Sequence, residues 1–134
     1  MTNILISFLF MVLFFGCATP SIGEFRAANR DKISKLSLEM GLTKQEIFHI
    51  MGTKEIKAMG LTITNPYRSE ILTSDDRKTF EVLYYYTEVR KADDNISDDE
   101  LTPLVFEDNK LIGWGWNFLY NIVEKYEIVF EKKT

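Results

Sequence analysis

The chain has 134 residues, with 16 Lys and Arg against 20 Asp and Glu, a formal net charge of −4, one His and one Cys. This length holds one domain, the acidic balance excludes the basic stripe that a nucleic-acid partner engages, and a lone Cys excludes an internal disulfide framework. Ten Phe, six Tyr and two Trp supply the apolar area for a core that needs no staple.

From Ile4 to Phe15 only Ser7 interrupts an apolar run, which stops at Phe14-Phe15-Gly16-Cys17. The run is long enough for a secretory h-region but short of the roughly 18 to 20 residues that cross a bilayer. An uncleaved anchor is the weaker reading because of that length, and a buried helix of a cytosolic protein is weaker still, because an all-round apolar surface leaves no face for water. Phe14-Phe15-Gly16-Cys17 resembles a bacterial lipobox, with Phe in place of the usual Leu at its first position. Met1-Thr2-Asn3 carries no Lys or Arg. On this reading residues 1–16 are a cleaved lipoprotein signal peptide, Cys17 is the lipid acceptor, 17–23 is a flexible tether and 24–134 is the folded domain. One acyl chain holds only marginally, at about 0.8 kcal/mol per buried methylene, whereas the three chains of a mature lipoprotein hold permanently. Ala18 is not the Asp that marks inner-membrane retention in enteric bacteria. In a Gram-negative host this points to the periplasmic leaflet of the outer membrane.

Glu24 to Leu38 is loosely patterned as a helix. Thr43-Lys44-Gln45-Glu46 is sharper: Thr43 and Glu46 form a reciprocal capping box, and Leu42 and Ile47 form the hydrophobic staple. Gly52 then supplies a left-handed stop, which predicts a helix over Lys44 to Met51. Leu61 to Thr64 alternates as a strand and is closed by the turn starter Asn65-Pro66. Thr79 to Val89 sets Phe80, Val82, Tyr84 and Tyr86 on one face and Leu83, Tyr85, Thr87 and Val89 on the other. With both faces apolar it reads as a central strand. After a polar loop from Lys91 to Glu100 come strands Thr102 to Phe106 and Lys110 to Phe118, joined through Glu107-Asp108-Asn109. Tyr126 to Phe130 fits either a last short strand or the continuation of a helix.

Chemistry is sparse along this chain. The acidic loop fails the EF-hand pattern, since counting from Asp93 puts Asp98 where Gly is needed and Leu104 where a bidentate Glu is needed, so it reads as solvated. His49 has no Ser or Asp in a motif context and reads as a structural or surface residue. Tyr84-Tyr85-Tyr86 reads as a packed strand before a ligand cage. No catalytic residue, metal ligand or cofactor is assigned, and the chain reads as a non-enzyme. In the last strand, alternation puts Ile112, Trp114, Trp116 and Phe118 on one face and Gly113, Gly115 and Asn117 on the other. Either the Trp face packs under the helices, the favoured reading because aromatic side chains dominate cores, or Trp114 and Trp116 lie open as a partner-binding pair.

Leu38-Glu39-Met40-Gly41-Leu42-Thr43-Lys44-Gln45-Glu46-Ile47, followed by Met51-Gly52-Thr53, resembles the Leu-x-x-Gly-Met-Thr-Lys-x-x-Val and Leu-Gly-Thr-Pro signature of small outer-membrane lipoproteins of the SmpA/OmlA type. These are relatives of the BamE subunit of the β-barrel assembly machinery. Thr102 to Gly115 looks like the strand-turn-strand end of the same fold, and roughly Lys32 to Phe118 is covered. Leu42 stands where Met is usual, and Lys54 replaces the Pro after Gly-Thr. The resemblance implies an α+β fold of two short helices packed on one face of a three-stranded antiparallel sheet. It implies a lipid-anchored envelope scaffold or interaction protein, held to the membrane through Cys17 and engaging an envelope protein partner. The runner-up is an inhibitor of an envelope enzyme, because β-lactamase-inhibitor proteins use a related two-helix-on-sheet fold.

Overall fold

Ser21 opens the first helix: its Oγ accepts from the Glu24 N–H (3.2 Å) while its own N–H donates to Glu24 Oε2 (2.7 Å). This reciprocal box starts helix α1, Ile22–Lys35, in a computed structural model that describes residues 18–36 and 40–134. Three residues expected in the tether, Ser21 to Gly23, therefore belong to the domain. The helix also stops before the expected Leu38, which lies outside the described residues together with the signal segment. Helix α2, Lys44–Met51, has the same box, with Thr43 Oγ1 accepting from the Glu46 N–H (3.3 Å) and Glu46 Oε2 from the Thr43 N–H (2.7 Å). It ends at Gly52, whose φ of +77° with ψ of 162° is a glycine conformation outside the expected αL cap.

Strands β1 (Ile56–Ala58) and β2 (Leu61–Ile63) pair as a separate hairpin, turning through Met59 and Gly60, both at positive φ. The main sheet is an antiparallel meander of β3 (Arg68–Thr73), β4 (Thr79–Tyr86), β5 (Leu101–Glu107) and β6 (Lys110–Trp114), in that spatial order. Asp108 and Asn109, at φ 48° and 63°, make the tight β5–β6 turn that positive φ at both central residues permits. Gly115, at φ +86°, then breaks the chain away from the sheet into α3, Trp116–Lys125.

The α+β class holds, but among the described residues the expected three strands and two helices become a four-stranded sheet, a two-stranded hairpin and three α-helices. The arrangement of the layers differs as well. Because β4 is apolar on both faces, both faces need cover. Ile33 of α1 and Leu36 at its C-cap, with Ile47 and Met51 of α2, bury Leu83 and Tyr85 on one side. Leu119 of α3 and Ile128 beyond it bury Phe80, Val82 and Tyr84 on the other, together with Phe25 and the β1–β2 hairpin. The α3 ring of Phe118 sits where a Cβ on Gly113 would lie, 2.5 Å away, so only glycine in β6 lets the helix approach.

Tyr126 to Phe130 is neither strand nor helix. The Ile128 N–H donates to Val123 O (2.9 Å) and the Glu127 N–H to Glu124 O (3.3 Å), with Glu127 at φ 51°, which is a Schellman stop. The tail then runs back to residues 98–99, where the Asp98 N–H donates to Lys133 O (3.0 Å) and the Lys133 N–H to Asp98 Oδ2 (2.6 Å), and Lys132 pairs with Asp99.

Candidate functional site

Cys17 lies outside the described residues. Thr43 and Glu46 are the α2 cap as expected, and the surrounding signature serves docking. The Gly41 N–H donates to Leu111 O (3.0 Å), the Leu111 N–H donates to Leu42 O (2.8 Å), and Thr43 bridges Lys110. Lys44 adds an ion pair with Glu81 at 2.9 Å. The Gly-Leu-Thr-Lys stretch thus zips α2 onto β6 and closes that sheet edge. Both capping carboxyls, Glu24 and Glu46, are held below the usual carboxylate range by the main-chain N–H groups they accept from, at Ser21 and Thr43.

Trp114 and Trp116 do not share a face, contrary to the expected alternation. A bulge at the Val105/Phe106 step leaves Ile112 unpaired and shifts the register, so Leu111 and Trp114 both fall on the α2 side. Gly115 then ends the strand and Trp116 becomes the first residue of α3, over the opposite face. Its Nε1 donates to Leu101 O (2.8 Å), and its ring lies 5.7 Å from Tyr84, 5.7 Å from Tyr120 and 6.3 Å from Phe130. Trp116 is therefore half-buried, packed against the core beneath the tail. Trp114 is half-buried on the cluster that also seats Leu42, Phe48 and Ile50.

The acidic loop is only partly solvated. Asp93, Asp94 and Asp99 are exposed, whereas Asp98 and Glu100 are each 2% exposed. Glu100 accepts from the Arg90 N–H (2.8 Å) and the Ser97 N–H (3.1 Å). Asp98 takes Arg68 Nη2 at 2.8 Å, and Arg68 in turn lies 3.6 Å over the Tyr84 ring and 3.4 Å from Glu70. The Tyr84 hydroxyl donates to Glu70. Burial first, and the Glu70 carboxylate second, push the Tyr84 phenol far above its ordinary range, so it is a fixed donor. Burial alone does the same to Tyr85, whose hydroxyl finds no partner among the described residues.

A second polar cluster joins three elements. Asn29 on α1 and Asn65 before β3 exchange side-chain amide bonds at 3.0 Å each way. Asn29 Nδ2 also reaches Tyr86 O (2.9 Å), and Asn65 Nδ2 reaches Met51 O (3.0 Å) and Gly52 O (3.2 Å). The pair floors a cleft of about 240 Å³ that Pro20, Phe25, Ala28 and Lys32 also line. Lys32 Nζ is spent on Met51 O at 3.0 Å. Among the described residues that line it, the cleft has no nucleophile with a base in reach. His49 is exposed at the α2 surface, beside Leu42, Glu46 and Ile50 in a shallow depression. Among the described residues no group of three or more His, Cys, Asp or Glu side chains could hold a metal ion, and no helix is long and apolar enough to cross a membrane.

Sequence reasoning passed over Asn29, Arg68, Glu70 and the inward role of Asp98. Asn65 carried a signal in Asn-Pro, read only as a turn. Arg68 and Glu70 carried none, because β3 faces its charged residues inward and Ile71 outward, which inverts the usual strand pattern.

The geometry defines a small α+β protein whose central sheet is covered on both faces and whose buried polar groups bind its own elements together. A family model described as "Protein of unknown function (DUF3192)" matches residues 21–121, from the α1 cap into α3, and the chain belongs to that family. No curated protein and no solved structure matches it.

Proposed function

We propose that this protein is a lipid-anchored interaction lipoprotein of the cell envelope, a scaffold rather than an enzyme. The observation that carries the reading is the apolar run ending in Phe14-Phe15-Gly16-Cys17, followed within a few residues by the Ser21 cap of a folded domain. The fold is consistent with it: the buried carboxylates and phenol hold loops and strands, and the two amides that floor the α1 cleft are spent on main-chain carbonyls and on each other. The resemblance to BamE-like lipoproteins supports the same role, since its signature docks α2 here. Partner contacts are assigned to the outward side of α2 and its flank, where Met40 is 54% exposed and Leu42, Ile50 and Trp114 are half-buried. In a Gram-negative host the lipid sits in the periplasmic leaflet of the outer membrane.

Expression of wild type and Cys17→Ser with labelled palmitate tests the anchor. Label on the wild type alone is expected, and label persisting on the variant removes the lipoprotein reading. Capture from membranes with the wild-type chain then separates the roles. Recovery of barrel-assembly components favours the scaffold, and recovery of a hydrolase with reduced activity favours the inhibitor.

A further inference from the structure

We infer that two copies of this chain pair through β3, antiparallel about an axis at Ile71, to make one continuous eight-stranded sheet. The two edges of the sheet differ. The β6 edge is closed by Gly41 to Thr43, whereas β3 is hydrogen-bonded only to β4 among the described residues. Edge strands are normally blunted by Pro, by a bulge, by charge or by a covering loop. β3 has no Pro or bulge within Arg68–Thr73, and its two inward charges are spent inside its own chain, Arg68 on Asp98 and Glu70 on Arg68, so the outward positions are Ser69, Thr73 and Ile71, the last at 71% exposure.

The ladder fixes which main-chain groups are free. Ser74 donates to Lys78 O (2.9 Å) just outside the Thr73–Thr79 pair, which makes that pair, and by alternation Ile71–Glu81 and Ser69–Leu83, the non-bonded type. The N–H and C=O groups of Ser69, Ile71 and Thr73 therefore point away from β4. A second copy centred on Ile71 satisfies all of them, Ile71 against Ile71 and Ser69 against Thr73 on either side. Read in either direction, this set is hydroxyl, isoleucine, hydroxyl, which is the property an isologous interface requires. Centring on Glu70 would set two carboxylates opposite each other, and centring on Leu72 would leave Ser69 without a partner. In the Ile71 register Glu70 stays neutralised in its own chain by Arg68 at 3.4 Å. One strand pair buries less than the roughly 1,000 Å² of a durable interface, so the dimer is concentration-dependent and strengthened wherever copies share a surface. The pairing does not require Cys17 to be acylated.

The test is oxidative cross-linking of the full chain in mild detergent, in a Cys17→Ser background so that the introduced thiol is the only one. Ile71→Cys is expected to form a disulfide dimer, since a bonded antiparallel pair sets Cα atoms about 5.5 Å apart. Ser69→Cys alone lies roughly 13 Å from its own copy and should stay monomeric, while a mixture of Ser69→Cys and Thr73→Cys should cross-link. Adding Ile71→Lys to that mixture should weaken dimerisation about tenfold without shifting the melting temperature. Absence of the Ile71 cross-link, or equal cross-linking by Ser69→Cys alone, overturns the proposal. Its failure leaves the palmitate result untouched.

Discussion

The Asn29–Asn65 pair permits a quantitative test of how the fold is held together. Asn65→Ala removes the bonds to Asn29 Oδ1, Met51 O and Gly52 O and the acceptor of one Asn29 Nδ2 bond; Asn29 Nδ2 keeps Tyr86 O, and Asn29 Oδ1 is left buried without that donor. Asn29 is 2% exposed, so water does not replace the bond. With a net worth of about 1 kcal/mol per hydrogen bond and about 1 to 3 kcal/mol for an orphaned buried group, and with Met51 O still served by Lys32, the loss comes to about 3 to 4 kcal/mol. That is a large share of a typical stability of about 5 to 15 kcal/mol, and it corresponds to a fall in Tm of roughly 10 to 15 °C. Asn29→Ala should cost a similar amount by stranding Tyr86 O and Asn65 Oδ1. The double variant should then cost about 1 to 2 kcal/mol less than the sum, since neither amide remains to be stranded. Urea unfolding of the four proteins measures the cycle. Additivity within about 0.5 kcal/mol, or a loss below about 0.5 kcal/mol for Asn65→Ala, would refute the buried-pair account.

Trp116→Ala should cost about 3 kcal/mol, since it removes the ring beneath the tail and the bond to Leu101 O, whereas Trp114→Ala should cost about half that; equal losses in thermal melts would contradict the extra weight given to the Trp116 contacts. Thr43→Ala should cost about 1 kcal/mol through the lost cap. The Glu46 carboxyl is depressed by the Thr43 N–H, so its stabilisation is present above the ordinary carboxylate range and lost as pH falls through the lower folded value. Unchanged melting of Thr43→Ala would exclude the hydroxyl cap. Thr43→Ala keeps the N–H, so the carboxyl's part is tested by Glu46→Gln, which removes the titrating group; unchanged acid sensitivity there would exclude it. Tyr84 and Tyr85 are raised by burial, so their contribution is complete below the ordinary tyrosine value of about 10 and is lost as pH climbs beyond it. Absorbance at 295 nm should show two phenols ionising only as the fold melts, and full ionisation of all six tyrosines in a still-folded protein would defeat that reading.

What could be read in the sequence divides by how local the determinant is. The α2 cap depends on Thr43 and Glu46 alone and was legible with its boundaries, Lys44–Met51. The same rule applied to Ser21 and Glu24 would have started α1 correctly; the small residues before it read as a linker instead. The β5–β6 turn and the central position of β4 were legible because apolar content on both faces demands cover on both. β3 was not legible, since an inward Arg68 and Glu70 make sense only once Asp98 and Tyr84 arrive from elsewhere in the chain. The last strand was overrun for a related reason: alternation continues through Trp114-Gly115-Trp116, and only the positive φ of Gly115 ends it.

The same division explains why the candidate site was harder to read than the fold. Asp98 and Glu100 sit in a run of acids that solvation alone would explain, yet each is buried at 2% exposure, because Arg68 and a set of main-chain N–H groups wait for them. Their charge serves the attachment of the 98–100 turn and the C-terminal tail to the sheet, and the tail in turn holds Phe130 against Trp116. A carboxylate committed in this way is no longer available to a metal or a substrate. Among the described residues, apolar and main-chain groups are open at Met40, beside half-buried Leu42 and Ile50 around α2, and along the β3 edge that pairs with no further strand. Surfaces of that kind suit recognition of other polypeptides, and this is the physical ground on which the proposed interaction role rests.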